Sequence, residues 1–298
     1  MMAAMTTMTA TINPTRLELP VEMLERFRSR AGELDGTNTY FHEDLAELRE
    51  IGYLAAAVPL EFGGAGMSLS ELAASQRRLA RYAPATALAM TMHSYWIGIA
   101  KELEAAGDSS LRWILDAAVD GHVFAAGHAE TGNDIPVLMA TCRAERVEGG
   151  YRLTGSKIWI SNANLAEFLV VFAKTAPDAG HRGMTAFIVP RGSKGMAIGE
   201  PLGKLGQRCA PTCEVFLDQV FVPEDHRLGE EGSGFALAMA VFDHSRPMVA
   251  AFGVGLIERC LDESLAYATQ RNSMGKRLID HQAVAHKLVR HRPADAFD

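Results

Sequence analysis

The sequence has few cysteines and no long apolar run. Its four cysteines are spread over 298 residues, at positions 142, 209, 213 and 260, which is too few for a disulfide framework in a chain of this length. Cys209 and Cys213 form a single C-x3-C pair without a second ligand pair nearby, so no zinc site is predicted. No stretch reaches the roughly 18 apolar residues of a transmembrane helix, so no membrane span is expected either.

Positive charge is also scarce. The chain has 29 Lys and Arg against 36 Asp and Glu, a net charge of −7, and its basic residues are scattered. Nucleic-acid-binding proteins need a basic stripe or patch, which this pattern does not supply. Residues 1–16 read as a loose tail, with no charged segment followed by an apolar one as in a signal peptide. We therefore expect a cytoplasmic protein that does not bind nucleic acid.

Helical periodicity dominates residues 17–119. Ser68 and Glu71 have the S-x-x-E spacing of a capping box at the start of one helix. Residues 85–105 are apolar nearly all round, which is typical of a central, buried helix. His93 lies in that segment and is predicted to be a hydrogen-bonded core residue rather than a catalyst. We assign residues 1–119 to an N-terminal helical domain.

Short alternating runs replace the helical pattern after residue 120. Between residues 124 and 222 they are separated by turn residues, as in a small β barrel or sandwich. No helix long enough for a βαβ unit interrupts them, which excludes a Rossmann fold. Residues 120–233 therefore form a predicted middle β domain. From residue 234 the chain is helical again, and the densely apolar residues 247–257 are predicted to pack against other helices.

The stretch YRLTGSKIWISNAN, residues 151–164, is the starting point for the site prediction. Its alternation predicts a half-buried strand with Lys157, Trp159 and Ser161 on the polar side. On a regular strand Trp159 and Ser161 would lie roughly 6–7 Å apart on one face. They could offer a planar ligand a stacking surface and a hydrogen bond. From these residues alone, Trp159 could equally well be a large apolar residue that packs on the surface of the sheet.

Together with KIWISN, three further stretches resemble the acyl-CoA dehydrogenase family: LEFGGAGMSLSEL (60–72), GQRCAPTCEVFLDQVFVPEDHRLGEEGSGF (206–235) and FDHSRPMVAAFGVGLIERCLDESLAYATQRNSMGKRLIDHQAV (242–284). The resemblance implies an α+β multidomain fold with an N-terminal all-α domain, a middle β barrel and a C-terminal helical bundle. FAD would lie between these domains. In this chain the bundle, residues 234–298, would be incomplete.

The resemblance also implies an activity. Family members convert an acyl-CoA thioester to its 2,3-enoyl form and pass the electrons to a separate acceptor, such as an electron-transfer flavoprotein. Acyl chain length and the identity of the acceptor cannot be read from the sequence.

Several flavin-contacting positions follow from the same resemblance. Trp159 would stack on the flavin and Ser161 would hydrogen-bond near its N5 atom, with Ile160 between them. The loop FAAGHAETGND, residues 124–134, departs from the family pattern. Phe124 replaces a tyrosine there, and Gly127 replaces a threonine whose hydroxyl would meet the pyrimidine end of the flavin. Any bond at that point would have to come from backbone N–H.

Other positions are matched to the substrate and to a neighbouring subunit. Asn133 replaces a serine near the thioester and counts as both a cofactor and a substrate contact. Arg271, Met274 and Gln282 correspond to contacts with the FAD of a neighbouring subunit, which implies a homo- or hetero-oligomer. Arg271 could also be a cation favoured at a helix C terminus.

Asp243 and Arg246 match positions near the CoA-thioester channel. Their spacing of three residues is equally that of an intrahelical ion pair. The sequence therefore leaves both interpretations open.

The catalytic base has no assigned residue. Family members use a glutamate either late in the C-terminal bundle, which would lie beyond residue 298, or immediately before the arginine that matches Arg246, where this chain has Ser245. Two alternatives therefore accompany the dehydrogenase prediction. One is a base-lacking subunit of a heteromeric dehydrogenase. The other is a flavin-dependent monooxygenase on the same fold, which uses reduced flavin and oxygen and needs no glutamate.

Overall fold

The computed structural model describes residues 17–132 and 140–290, so Asn133 lies outside the described residues. Helices come first, then strands, then helices, in the predicted order. The helices are α1 (Val21–Thr37), α2 (His42–Glu50), α3 (Leu69–Tyr82), α4 (Pro84–Ala105), α5 (Arg112–Val119), α6 (Gly234–Gln270) and α7 (Gln282–Arg290).

Within the described part of the middle region, eight strands form one sheet: β1 (Phe124–Gly127), β2 (Arg143–Val147), β3 (Gly150–Ser161), β4 (Phe168–Lys174), β5 (Met184–Pro190), β6 (Met196–Ile198), β7 (Thr212–Pro223) and β8 (Arg227–Leu228). Their order is β6-β7-β3-β2-β4-β5-β8, and β1 pairs in parallel with β4. A short ribbon, β9 (Asn272–Ser273) with β10 (Lys276–Arg277), follows α6.

The main sheet curves around its own core. The rings of Tyr151 on β3 and Phe187 on β5 have their centroids 4.9 Å apart, although β2 and β4 lie between these strands in the sheet order. Neighbouring strands are about 4.8 Å apart, so a flat sheet would separate β3 from β5 by roughly 14 Å. The contact therefore requires the barrel-like curvature that the sequence predicted.

Strand β4 shows how the helices cover the sheet. Leu169 and Val171 pack into the core inside the curved sheet, whereas Val170 and Phe172 pack into a second core shared with the helices. Phe172 stacks on Trp96 of α4 with ring centroids 6.5 Å apart. Both faces of β4 are apolar because both are buried, and α4 is the central helix that the sequence predicted.

Two predictions about single helical residues are confirmed. The Ser68 hydroxyl accepts a hydrogen bond from the Glu71 amide, and the Glu71 carboxylate accepts one from the Ser68 amide, which completes the capping box. His93 is buried, with Nε2 2.9 Å from the Leu54 carbonyl oxygen. Burial lowers the pKa of His93 to about 4, so its imidazole is neutral at pH 7.

The prediction for the second half of β3 is wrong. Lys157 was expected on the polar face, but its side chain is 0% exposed. The pairing of β3 with β7 shifts register between Leu153 and Gly155 and again between Lys157 and Ile160. The second shift inserts a residue into β3 after Lys157 and changes the face on which the side chains beyond it lie. Lys157 therefore stays on the inward face of Tyr151 and Leu153, and the alternation of Ile158 and Ile160 cannot be extended back to it.

Helix α6 is a single helix of 37 residues, about 55 Å long. It crosses α3 closely at Gly255, where an added Cβ would lie 2.1 Å from the Arg77 carbonyl oxygen. The Arg77 guanidinium pairs with Glu258 one turn further along α6. Gly255 is therefore required by close packing of the two helices, and a side chain there would push them apart.

One face of α6 is apolar and exposed. Val249, Val254 and Ile257 are 42%, 39% and 52% exposed, and at 100° per residue they fall within about 140° of the helix circumference. No other element in the described ranges covers them. A group of neighbouring exposed apolar side chains often marks a surface that contacts another protein chain.

We expect the chain to form a dimer or a larger assembly at micromolar concentration, because association would remove this face from water. Ile257→Glu places a charge at its centre and should shift the assembly towards a folded monomer, because position 257 is exposed within the chain. Sedimentation velocity over a range of concentrations measures this. Leu60→Glu is the matched control, since Leu60 is similarly exposed, at 58%, but lies in the N-terminal region. A concentration-independent monomer for the parent chain would contradict the prediction.

Candidate functional site

A cavity of about 200 Å³ lies where the N-terminal helices, the sheet and α6 meet. It has a strand-side wall and a helix-side wall. The strand side consists of Ala126, His128, Ala129, Trp159, Ile160 and Ser161, and the helix side of Met92, Tyr95, Val241, Phe242 and Ser245. This cavity is the candidate site because it contains the three residues at the centre of the sequence prediction, Trp159, Ile160 and Ser161.

Trp159 presents its indole to this cavity from a bulge in β3. The residue has a φ of 58°, in the left-handed region that a bulky side chain seldom adopts. Its side chain is 64% exposed, although tryptophan is usually largely buried. Ser161 lies two residues further on in the same wall. Both residues line the same cavity wall, and the bulge separates Trp159 from the inward face of Lys157.

A buried ion pair lies next to the cavity. Lys157 Nζ is 2.6 Å from Glu130 Oε1, and the two side chains are 0% and 2% exposed. Nζ also donates to the Phe172 carbonyl oxygen at 2.6 Å. The Glu130 carboxylate accepts hydrogen bonds from the Thr141 and Cys142 amides. These bonds compensate for much of the cost of burying two charges, and they join the segment after β1 to β3, to β4 and to the start of β2.

The ionisation of Glu130 follows from the same contacts. Burial would raise the pKa of this carboxyl group, but the Lys157 ammonium and the hydrogen bonds from Thr141 hold it below its ordinary value. Glu130 is therefore charged at neutral pH. The sequence analysis did not identify this pair, because no local pattern relates positions 130 and 157.

Among the described residues, His128 is the one imidazole in the cavity wall. Its ring stacks on Phe172 at a centroid distance of 4.4 Å and lies 5.3 Å from the ring of Phe242. Nε2 is enclosed and has no hydrogen-bond partner within the described part of the chain. Burial, reinforced by the charge of Lys157, lowers the pKa of His128 to about 3, so the ring is neutral at pH 7. The sequence analysis treated the segment around His128 as a flavin loop but did not single out this residue.

The other predicted residues of that loop lie in different surroundings. Gly127 ends β1, and a Cβ added there would lie 3.3 Å from Lys157 Cγ, so a side chain would press on the buried lysine. Phe124 is buried, with its ring stacked on those of His93 and Phe168 at 5.8 and 5.7 Å. The Phe124 side chain is part of the core and does not line the cavity.

Of the predicted site residues on α6, one lines the cavity and two lie on the surface. Ser245 lines the cavity, and its hydroxyl donates to the Phe242 carbonyl oxygen at 3.1 Å. Asp243 and Arg246 form an exposed ion pair of 2.7 Å on the same helix and do not line the cavity. The intrahelical pair is thus present, and the role of these two residues at a thioester channel stays a prediction.

Arg271, Met274 and Gln282 follow the end of α6. All three are exposed, and none lines the cavity. Met274 is at the turn between β9 and β10 with a φ of 51°. Their predicted contact with the FAD of a neighbouring subunit also stays a prediction.

Residues 17–132 and 140–290 also bear on metal binding and on membrane insertion. Cys209 and Cys213 are buried free thiols, and these ranges contain no group of three His, Cys, Asp or Glu side chains that could hold a metal ion. The same ranges contain no helix with the length and apolar character needed to cross a membrane.

Comparison with protein-family models gives three matches in the order of the three regions. Residues 22–112 match "Acyl-CoA dehydrogenase, N-terminal domain", residues 124–220 match "Acyl-CoA dehydrogenase, middle domain", and residues 232–292 match "Acyl-CoA dehydrogenase, C-terminal domain".

Curated relatives are also named as dehydrogenases of CoA thioesters. Isovaleryl-CoA dehydrogenase of Solanum tuberosum is 33% identical over 269 residues, which cover 89% of this chain and 65% of that protein. The acyl-CoA dehydrogenase of Bacillus subtilis is 31% identical over 259 residues, which cover 86% of this chain and 68% of that protein. The chain thus spans about 65% of the length of the potato enzyme.

Solved structures agree with the fold. Butyryl-CoA dehydrogenase from Megasphaera elsdenii superimposes with a TM-score of 0.83 at 28% identity, covering 91% of this chain and 73% of that one. The FAD complex of PigA gives a TM-score of 0.77 at 26% identity, covering 92% of this chain and 75% of that one.

The lowered pKa of His128 should make stability depend on pH. A folded-state pKa of about 3 for His128 against about 6.5 in the unfolded chain means that the unfolded state takes up a proton first as the pH falls. Stability is then fully present above pH 6.5 and declines below it, by about 2 kcal/mol between pH 7 and pH 5. His128→Gln should remove this part of the decline. Denaturant unfolding of parent and variant at both pH values measures it, and equal declines would contradict the burial of His128.

Proposed function

Since this chain belongs to the acyl-CoA dehydrogenase family, we propose that it is an FAD-dependent oxidoreductase of the acyl-CoA dehydrogenase type. The proposed reaction is the α,β-dehydrogenation of an acyl-CoA thioester to its 2,3-enoyl form, with the electrons passing to a separate acceptor such as an electron-transfer flavoprotein. One observation carries this proposal: a single cavity brings together Trp159 and Ser161 from the sheet and Ser245 from α6.

The residues of the cavity fit a flavin ring. The exposed indole of Trp159 offers a stacking surface, Ser161 a hydroxyl, and His128 an imidazole whose Nε2 has no partner among the described residues. When bound, FAD would supply the hydride acceptor, which the side chains of the protein cannot supply. The role of the protein is then to bind and orient the flavin and the thioester and to exclude water from the cavity.

Removal of the α-proton requires a general base, and the cavity side chains are poor candidates. Among the described residues that line it, none has a carboxylate. The Ser245 hydroxyl is not basic at neutral pH without a partner base, and it donates to the Phe242 carbonyl oxygen. His128, with its pKa near 3, would hold a proton at pH 7 only at a cost of about 5 kcal/mol. We therefore propose that these described residues alone support slow dehydrogenation at most.

A base-lacking subunit of a heteromeric dehydrogenase is the second candidate. It is favoured by the lack of a carboxylate among the described cavity residues together with the exposed apolar face of α6. A partner chain would then cover α6 and supply the missing group. Flavin that co-purifies without turnover, followed by turnover after mixing with a partner chain, would support this candidate over the first.

We further propose a homo- or hetero-oligomer in the cytoplasm. In it Arg271, Met274 and Gln282 would reach the FAD of the neighbouring subunit. Their exposure at the end of α6 supports this, because it leaves them accessible to a second chain.

Trp159→Ala should weaken FAD binding about 5- to 100-fold, the range expected for loss of one aromatic stacking partner. Trp159→Phe is the matched control and should recover most of the affinity, because it keeps an aromatic face. Quenching of flavin fluorescence during titration measures the dissociation constants. If the alanine variant binds FAD as tightly as the parent, Trp159 only covers the sheet and the cofactor assignment fails.

Ser245→Glu should increase acyl-CoA dehydrogenation by about 10²- to 10⁴-fold, the usual contribution of a positioned general base. Ser245→Gln has the same size without the charge and should leave the rate at the parent level. Reduction of an artificial electron acceptor by a panel of acyl-CoA thioesters measures both. A parent rate of about 1–10³ per second would show that another base exists, and oxygen-dependent product would favour the monooxygenase alternative.

A further inference from the structure

The imidazole of His128 differs from the rest of the cavity wall. Of the described side chains that line the cavity, only Tyr95 and His128 can titrate, and the others are apolar or carry a serine hydroxyl. His128 lies on the strand side, in the same wall as Trp159 and Ser161. The Ile158 amide donates to the Ala129 carbonyl oxygen at 3.0 Å, which fixes the His128 segment against β3 directly beside Trp159.

The hydrogen-bonding capacity of this imidazole is unused by the described residues. Its Nε2 is enclosed without a partner there, whereas Nε2 of His93, a buried histidine of α4, is satisfied by the Leu54 carbonyl oxygen. An enclosed polar atom without a partner is destabilising. Packing alone does not account for a histidine, because a phenylalanine would stack on Phe172 without this cost.

The ligand that suits this wall is planar and has a polar edge. A neutral imidazole has one donor and one acceptor nitrogen, so it can meet either a carbonyl oxygen or an N–H group. A flavin's pyrimidine ring carries both along one edge, whereas the carbonyl of a thioester offers only an acceptor. Trp159, Ser161 and His128 line the same wall, so a planar ligand that uses the first two residues also has the imidazole within the same cavity.

We propose that His128 is a flavin-binding residue, which hydrogen-bonds the polar edge of the isoalloxazine ring through its neutral imidazole. The inference rests on the proposed function, because it takes FAD as the cavity ligand. His128 would thus supply a side-chain contact to the flavin next to Gly127, which replaces the threonine whose hydroxyl would meet the flavin in the family. The role is binding only, because a neutral ring next to Lys157 is a poor proton acceptor.

The test compares FAD affinity of the full chain with that of two variants. His128→Leu removes both nitrogens and should weaken FAD binding about threefold to tenfold, the effect of one neutral hydrogen bond. His128→Gln keeps a donor and an acceptor and should return the dissociation constant to within about twofold of the parent. The matched control is His122→Leu, since His122 also lies against a phenylalanine, Phe168 at 5.5 Å, but does not line the cavity.

Each outcome has a distinct meaning. Equal FAD affinity of His128→Leu and the parent would overturn the inference and leave the proposed function intact. Glutamine and leucine variants that are equally weak would also overturn it, because shape alone would then matter. A change in acyl-CoA affinity at unchanged FAD affinity would assign His128 to the substrate instead. A parent chain that does not bind FAD would overturn both the inference and the proposed function.

A second measurement uses the folded parent in case the leucine variant does not fold. Nitrogen NMR of the ten histidines, with the His128 signals identified by their loss in His128→Gln, reports hydrogen bonding at each ring nitrogen. Adding FAD should shift one His128 nitrogen and leave the signals of His122 in place. Unchanged His128 signals at saturating FAD would overturn the inference.

Discussion

The buried pair of Lys157 and Glu130 is the contact on which the geometry of the site depends. It joins β3 to the segment that follows β1, and Glu130 also receives the amides of Thr141 and Cys142. Removing one partner would leave a buried charge uncompensated, a change that typically costs about 3–5 kcal/mol. The strand-side wall of the cavity lies on these two elements, so its shape depends on this single interaction.

The bulge that follows the buried Lys157 turns Trp159 outward. One irregularity in β3 therefore accounts for a buried lysine and an exposed tryptophan two residues apart. A regular strand would have placed positions 157 and 159 on the same face. The left-handed backbone of Trp159 is unfavourable for a bulky residue, and the pairing with β7 and the ion pair below it hold that conformation in place.

The helix side and the strand side of the cavity are unequal in chemistry. The strand side carries the indole, the Ser161 hydroxyl and the imidazole, all suited to binding a planar ring. The helix side is apolar apart from Tyr95 and Ser245. Helix α6 also leaves Val249, Val254 and Ile257 uncovered further along the helix, starting one turn beyond Ser245. The described residues thus offer groups that can bind a flavin but no carboxylate that could act as the general base. Both proposed functions agree with this arrangement.

The sequence by itself determined the order of helices, strands and helices, the central position of the helix that contains His93, and the identity of Trp159 and Ser161 as wall residues. Period-2 and period-3.6 patterns involve residues that are close in the sequence, so they can be read from the sequence directly. Only the tertiary structure decided that Lys157 is buried, that Phe124 packs into the core, and that His128 lines the cavity. Bulges and ion pairs between distant positions have no local signature, because they arise from strand pairing and from contacts such as that between Glu130 and Lys157, 27 residues apart.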